Sequence, residues 1–401
     1  MWGPSTEFIG QSGIMGASRM SLRRWRLRSR HVRRLCVWLF CVAFGSALWG
    51  QNITVLSRST VFEHPDSDPY DRSNRFGFNH APSVTTLADG RLLCAWFSGP
   101  FEASVDQVIL ASYSSDGGTT WSDEEVLQDF ARTSDFDPAF VSNGSRTWLF
   151  FSRGRWNRYP FVRGERDGGI GVKSFQMFHR YTDDSGETWS EPQALPIERG
   201  YNCRSNGIRL SSGELLVPTH LLAGQDSGVL KSRDNGKTWT RHTGVSTQAG
   251  QAEPTIAELK SGAVLMFLRT NDGHLWRTVS HDRGETWSAP EKTDMLAAAA
   301  SHNLFRLEEG RLVLTHDKSP PPFRSPLTVR VSEDDGESWS EPFTLASVPR
   351  PQQGDAIWGR QVTYPSVTQL PNGTMVIVWA RIVLGDDEQW GDIQSARVRI
   401  D

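Results

Sequence analysis

Ser280–Trp287 reads "SHDRGETW", and nearly the same eight letters return four more times in the chain. The other copies are "SSDGGTTW" (114–121), "TDDSGETW" (182–189), "SRDNGKTW" (232–239) and "SEDDGESW" (332–339). A fixed Ser/Thr-x-Asp-x-Gly-x-Thr/Ser-Trp frame at near-regular intervals is an internal repeat, and a repeat of this period implies one supersecondary unit used again and again. The residue types say what the unit is. The Asp accepts hydrogen bonds from backbone N–H groups of its own turn, the Gly supplies an unusual backbone angle, and the Ser/Thr hydroxyls add local bonds. The Trp then fills space between sheets. These five aspartates are turn residues, not catalytic ones.

Each repeat follows a second signal, an apolar β-rich run launched by a turn glycine. The six runs are "ADGRLLCAWF" (88–97), "SNGSRTWLFF" (142–151), "SSGELLVPTH" (211–220), "KSGAVLMFLR" (260–269), "EEGRLVLTHD" (308–317) and "PNGTMVIVWA" (371–380). Short strands such as "APSVTTL", "EPTIAEL" and "YPSVTQL" lie just upstream of three of them. Four strands per unit and six units predict an all-β, six-bladed β-propeller. The sixth unit ends in "SARVRI" (395–400) without a Trp turn, so "NITVLSRST" (52–60) is expected to supply its outer strand. One propeller uses all of residues 51–401.

Residues 1–50 differ from the rest. A basic stretch, "RRWRLRSRHVRR" (23–34), precedes a 15-residue apolar run, "LCVWLFCVAFGSALW" (35–49). That run is short of the roughly 20 apolar residues of a membrane span, and with its basic flank it reads as a secretory signal peptide or, second, an uncleaved anchor. The expected location is therefore secreted or periplasmic, with membrane contact only through an uncleaved N-terminal segment. A net charge of −3 gives no reason to expect a nucleic-acid partner. Cys36 and Cys41 fall inside the apolar run, leaving Cys94 and Cys203, which imply no disulfide framework. The histidines show no metal-ligand spacing, and no metal or other cofactor is expected.

Chemistry is expected on the innermost strands, whose first residues face the central funnel. Counting back nine positions from each turn glycine gives Ala81, Asp135, Arg204, Glu253, Ser301 and Tyr364. A Glu, a Tyr and an Arg at equivalent positions are polar groups that must converge on something. Arg269 ends an apolar strand, and Arg324 opens another after the loop "KSPPPF".

At these residues the sequence resembles the bacterial sialidase superfamily, in its branch of BNR-repeat sialidase-like proteins. The five Trp turns resemble that family's Asp boxes. Glu253-Pro254, Gly262 and Arg269 match one motif, the run from Arg324 into the last box another, and Tyr364-Pro365-Ser366 a third. The resemblance implies a retaining exo-glycoside hydrolase that releases a terminal sialic acid or related acidic sugar from glycans. It implies Tyr364 as nucleophile, Glu253 as its base, Asp106 as acid/base with Glu102 as its rival, and Arg269 and Arg324 as a clamp for the sugar carboxylate. One departure stands out: "FNHAPSV" places His80 where the family's first clamp arginine is expected. Arg204 or Arg75 is the candidate third cation. The loss of that arginine keeps two other readings open, a glycosidase or lyase acting on a uronic-acid- or rhamnose-containing polysaccharide with His80 in its site, and a non-catalytic glycan-binding propeller.

Overall fold

The computed structural model describes residues 52–65, 75–156, 172–222, 226–350, 359–384 and 389–401. The leader expected at 1–50 and most of the basic insert at 153–169 lie outside these residues. The described strands form six antiparallel sheets, five of four strands and one with an additional short strand. Their innermost strands touch one another around a centre. These are Phe78–Thr86, Ser134–Ser142, Tyr201–Cys203 with Ile208–Arg209, Gln251–Glu258, Asn303–Arg306 and Arg360–Gln369, and we number the blades one to six in that order. No helix occurs among the described residues.

Blade six closes the ring as the sequence requires. Its outermost strand is Ile53–Phe62, which pairs antiparallel with the C-terminal strand Gln389–Ile400, Ile53 opposite Ile400 and Ser59 opposite Ser395. Asp392, fully buried, fixes the end of this closure by accepting from His64 Nδ1 at 2.6 Å and from Arg381 at 2.6 Å.

The same four hydrogen bonds build the repeated turn in all five copies. In the copy at 280–287, Asp282 Oδ1 accepts from the backbone N–H of Thr286 at 2.8 Å and from the Ser280 hydroxyl at 2.8 Å. Its Oδ2 accepts from the Thr286 hydroxyl, and the Ser280 hydroxyl in turn accepts from the Gly284 N–H at 2.7 Å. Gly284 sits at φ +87°, and a Cβ there would come within 3.1 Å of Val229 on blade three. The tryptophans then pack into the seams. Trp239 of blade three stands edge-on to Trp148 and Phe150 of blade two, and the other four take corresponding places. The apolar core is accordingly divided into six main clusters, one at each seam between successive blades. A propeller is held together by what fills its seams, which is why the same letters recur.

At the funnel end, the inner strands of blades one, two, four and six each break register over two residues. In every case the pair is X-Pro: Ala81-Pro82, Asp137-Pro138, Glu253-Pro254 and Tyr364-Pro365. The first residue of each pair lies in the left-handed region, at φ +56°, +52°, +45° and +59°. Proline cannot donate a ladder bond, so it is accommodated at a bulge, and the bulge re-aims the preceding side chain.

Candidate active site

Three side chains close a triangle at the funnel. The Tyr364 hydroxyl donates to Glu253 Oε1 at 2.9 Å and accepts from Arg269 Nη1 at 2.9 Å. Arg269 Nη1 also lies 2.7 Å from Glu253 Oε2. Glu253 and Tyr364 come from the bulges of blades four and six, while Arg269 reaches over from the strand next to Glu253, where its backbone pairs with Ala252. Left-handed backbone at a large side chain costs on the order of 1–3 kcal/mol and is characteristic of functional sites.

The electrostatics follow from burial and from Arg269. Burial alone would raise the Glu253 carboxyl, but the adjacent Arg269 charge outweighs it and holds the group down at about 2. Tyr364 is buried, which pushes its phenol above the ordinary tyrosine range; the Arg269 charge opposes that rise and Glu253 adds to it. The resting site is thus a neutral phenol hydrogen-bonded to a carboxylate.

Around Tyr364 stand three more groups. The His80 ring packs on it with centroids 4.1 Å apart. The guanidinium carbons of Arg204 and Arg324 lie 5.0 and 5.4 Å from its ring centroid. His80 is held uncharged, its ionisation well below the ordinary histidine range, first because it is buried and then because Arg324 and Arg204 repel a positive charge. Arg324 donates to the Ala299 carbonyl at 3.0 Å and to Gln361 Oε1 at 3.4 Å, and its side chain is half-buried at the funnel wall.

The structure separates the residues named from the sequence. His80, Arg204, Glu253, Arg269, Arg324 and Tyr364 come together. Arg204 is 1 % exposed, and its guanidinium bonds the Pro82 and Tyr364 carbonyls and the Ser83 hydroxyl, inside the wall and not at its surface. Arg75, the other candidate third cation, pairs with Asp129 at 2.7 Å on the exposed surface. Asp106 is exposed in the loop between the second and third strands of blade one. Glu102, in the same loop, is the carboxylate that feels the site: its carboxyl is raised by the surrounding protein, lowered in part by Arg324, and raised again by Glu253. Solvent around the exposed Glu102 side chain damps these effects.

Asp135 needs a correction. It is buried and accepts from the Phe130 N–H at 2.8 Å, facing away from the triangle; the bulge position of blade two is held by Asp137. Five hairpins share a Leu-x-x-Gly turn, but blade two turns through Ser142-Asn143-Gly144, with Asn143 N–H bonded to the Arg146 carbonyl. Its glycine therefore comes two residues sooner, and a count of nine overshoots. Asp137 accepts from the Asn202 amide; burial first, then the nearby Glu253 charge, pushes its carboxyl up to about 7. Its signal in the sequence was the Asp-Pro pair, shared with Glu253-Pro254 and Tyr364-Pro365. Cys94 and Cys203 are both buried free thiols. Among the described residues no group of three or more His, Cys, Asp or Glu is placed to hold a metal ion.

Residues 90–377 match the model of the BNR repeat-like domain. The chain belongs to the BNR repeat-like domain family. This BNR-repeat chain is 30% identical to a sialidase of Paraclostridium sordellii over 235 residues, 51% of this chain and 56% of that protein. It is 23% identical to a sialidase of Bacteroides fragilis over 302 residues, 66% of this chain and 54% of that one. The BNR-repeat chain thus spans about half the length of the curated relatives it matches. Among solved structures, a variant of the NanB sialidase from Streptococcus pneumoniae superposes with a TM-score of 0.67 at 16% identity, covering 86% of this chain and 71% of that one. The BNR-repeat propeller of this protein is sialidase-like in fold.

Proposed function

We propose that the protein is a retaining exo-glycoside hydrolase of sialidase type, acting on glycans that end in a sialic acid or related acidic sugar. The observation that carries this reading is the Tyr364–Glu253–Arg269 triangle. The substrate carboxylate attached to the reacting carbon repels an incoming carboxylate nucleophile, and a neutral phenol avoids that repulsion. A phenol is a weak nucleophile at neutral pH, so it needs a base within hydrogen-bond reach, and Glu253 is at 2.9 Å. Because Glu253 is a weak base, the proton moves to Oε1 only as the Tyr364 oxygen bonds to the anomeric carbon. Arg269, already donating to that oxygen, steadies its charge while the bond forms. The leaving oxygen takes its proton from a carboxylic acid of the loop 100–107, and the same group then draws a proton from the water that frees the sugar. Asp106 is the acid named from the sequence; Glu102, its rival, lies within the field of Arg324, Glu253 and Arg269. Arg324, with Arg269, faces the substrate carboxylate. The basic-then-apolar leader supports export.

The experiment is release of methylumbelliferone from its α-sialoside, with Tyr364→Phe alongside. Turnover by the wild type that collapses in the variant supports the reading. Absence of turnover by a folded protein sinks it. A second reading, a glycosidase or lyase for uronic-acid- or rhamnose-containing polysaccharide, is favoured by the uncharged His80 at the place of a clamp cation.

A further inference from the structure

Arg204 is a buried cation that the reaction above does not use. It is among the largest fully buried side chains of the protein. Among the described residues no carboxylate pairs with it directly; Asp137 and Glu253 act on it only through space, and burial lowers its ionisation. Burying a charge without a paired counter-charge is costly. Three acceptors, the carbonyls of Pro82 and Tyr364 at 3.1 Å each and the Ser83 hydroxyl at 3.3 Å, would be served as well by neutral donors, so hydrogen bonding alone does not account for a guanidinium.

Two facts of placement do account for it. The carbonyls that Arg204 bonds belong to the bulges of blades one and six, at Ala81-Pro82 and Tyr364-Pro365, although Arg204 itself stands on blade three. One side chain thus ties three blades at the point where backbone strain presents Tyr364. Its charge also faces the Tyr364 ring, 5.0 Å from the centroid, where it favours electron density gathering on the phenol.

Resting on the reading of Tyr364 as nucleophile, we infer that Arg204 is a positioning residue: it anchors the left-handed backbone of Tyr364 and lowers the cost of charge on its oxygen. A positive charge behind the ring stabilises the phenolate over the phenol, so removing it moves the ionisation of Tyr364 upward. It also loosens a side chain whose catalytic distance is set by a strained backbone.

The test uses the whole protein labelled with ¹³Cζ-tyrosine, the Tyr364 resonance being assigned by its loss in Tyr364→Phe. The resonance is compared at neutral pH in wild type, Arg204→Met and Arg204→Lys, with circular dichroism as the check of folding. In Arg204→Met the Tyr364 signal is expected to shift at neutral pH. Where the protein turns over a sialoside, kcat falls about 10²-fold with KM within about threefold. Arg204→Lys, which keeps the charge but reaches fewer acceptors, falls between the two in both readouts. A folded Arg204→Met whose Tyr364 signal matches wild type overturns the inference. If the methionine variant does not fold, a lysine variant indistinguishable from wild type overturns it equally. The resonance does not depend on turnover, so failure of the sialidase reading and failure of this one are told apart.

Discussion

Tyr364 donates its phenolic hydrogen to Glu253 across 111 positions of sequence and from a different blade. Both partners stand at the same place in their blades, the left-handed residue before a proline, so the bond is made by the symmetry of the ring. Replacing Tyr364 with Phe keeps the ring and its packing and removes only the hydroxyl. The expected result is a loss of at least ~10³-fold in kcat on an aryl sialoside, with stability lowered by about 1.5–3 kcal/mol because the hydroxyl bonds two charged groups. Steady-state kinetics and a urea titration check the two halves.

Glu253→Gln leaves Arg269 buried without its counter-charge, and breaking a buried pair from one side costs about 3–5 kcal/mol. The loss depends on pH. Glu253 is depressed in the folded state, so its contribution is complete above the ordinary carboxylate range and disappears as pH falls toward about 2. Wild type and variant should therefore differ most in urea midpoint at neutral pH and converge in strong acid.

The acid of the first step is separable by leaving group. Glu102→Gln is expected to depress hydrolysis of sialosides with poor leaving groups more than that of activated aryl sialosides, because only the former need a proton in the transition state. Asp106→Asn showing that pattern instead, with Glu102→Gln near wild type, would assign the role to Asp106.

Buried titratable groups set the acid limit of the fold. Burial holds His179, His220 and His302 at about 4 and His316 at about 3, with His80 lowered as well. These rings stay neutral in the fold while the unfolded chain takes up their protons below its ordinary histidine range, so each loses stability as pH falls through that window. Asp137 and Asp317, raised to about 7, and Asp135, raised to about 8, work in the opposite sense: the fold holds their protons where the unfolded chain has lost them. Five histidines outweigh three carboxyls, and stability should fall from about pH 6.5 to pH 4. Asp137→Asn removes one opposing group and should steepen that fall in thermal melts taken across the range.

Asp282→Ala tests the repeated turn. It deletes bonds to two backbone N–H groups and two hydroxyls, each worth about 0.5–1.5 kcal/mol, at a blade corner remote from the triangle. The expected outcome is a lower melting temperature with kcat per folded molecule unchanged; a change in kcat at full stability would contradict a purely structural turn.

The repeat made the architecture legible because each of its letters has one physical job, and a job done once per blade can be counted. Glu253 and Tyr364 were legible for a related reason: they fall at a fixed distance from the turns that set each blade's frame, whereas Arg269 and Arg324 were legible from strand ends and family motifs. Asp137 was not, because the hairpin of blade two is shorter and the frame slips there by two residues. The placement of Arg204 was not legible either. Its sequence position says that it starts an inner strand, but only the packing of three blades shows that its guanidinium turns inward to carbonyl oxygens. The choice between Glu102 and Asp106 depends on a loop whose course no periodicity records.

Blade six is built from two distant stretches, Ser59 meeting Ser395 across 336 positions. On a ribosome the outer strand emerges first and waits for its partner, at ~5–20 residues per second, for roughly 20–70 s. During that interval Ile53–Phe62 is an open sheet edge with alternating exposed and partly buried side chains, the kind of surface that pairs with the wrong chain. Synthesis therefore passes through a long stage in which blades accumulate with no closed ring, and shielding of the nascent strand during it should raise the yield of the finished protein.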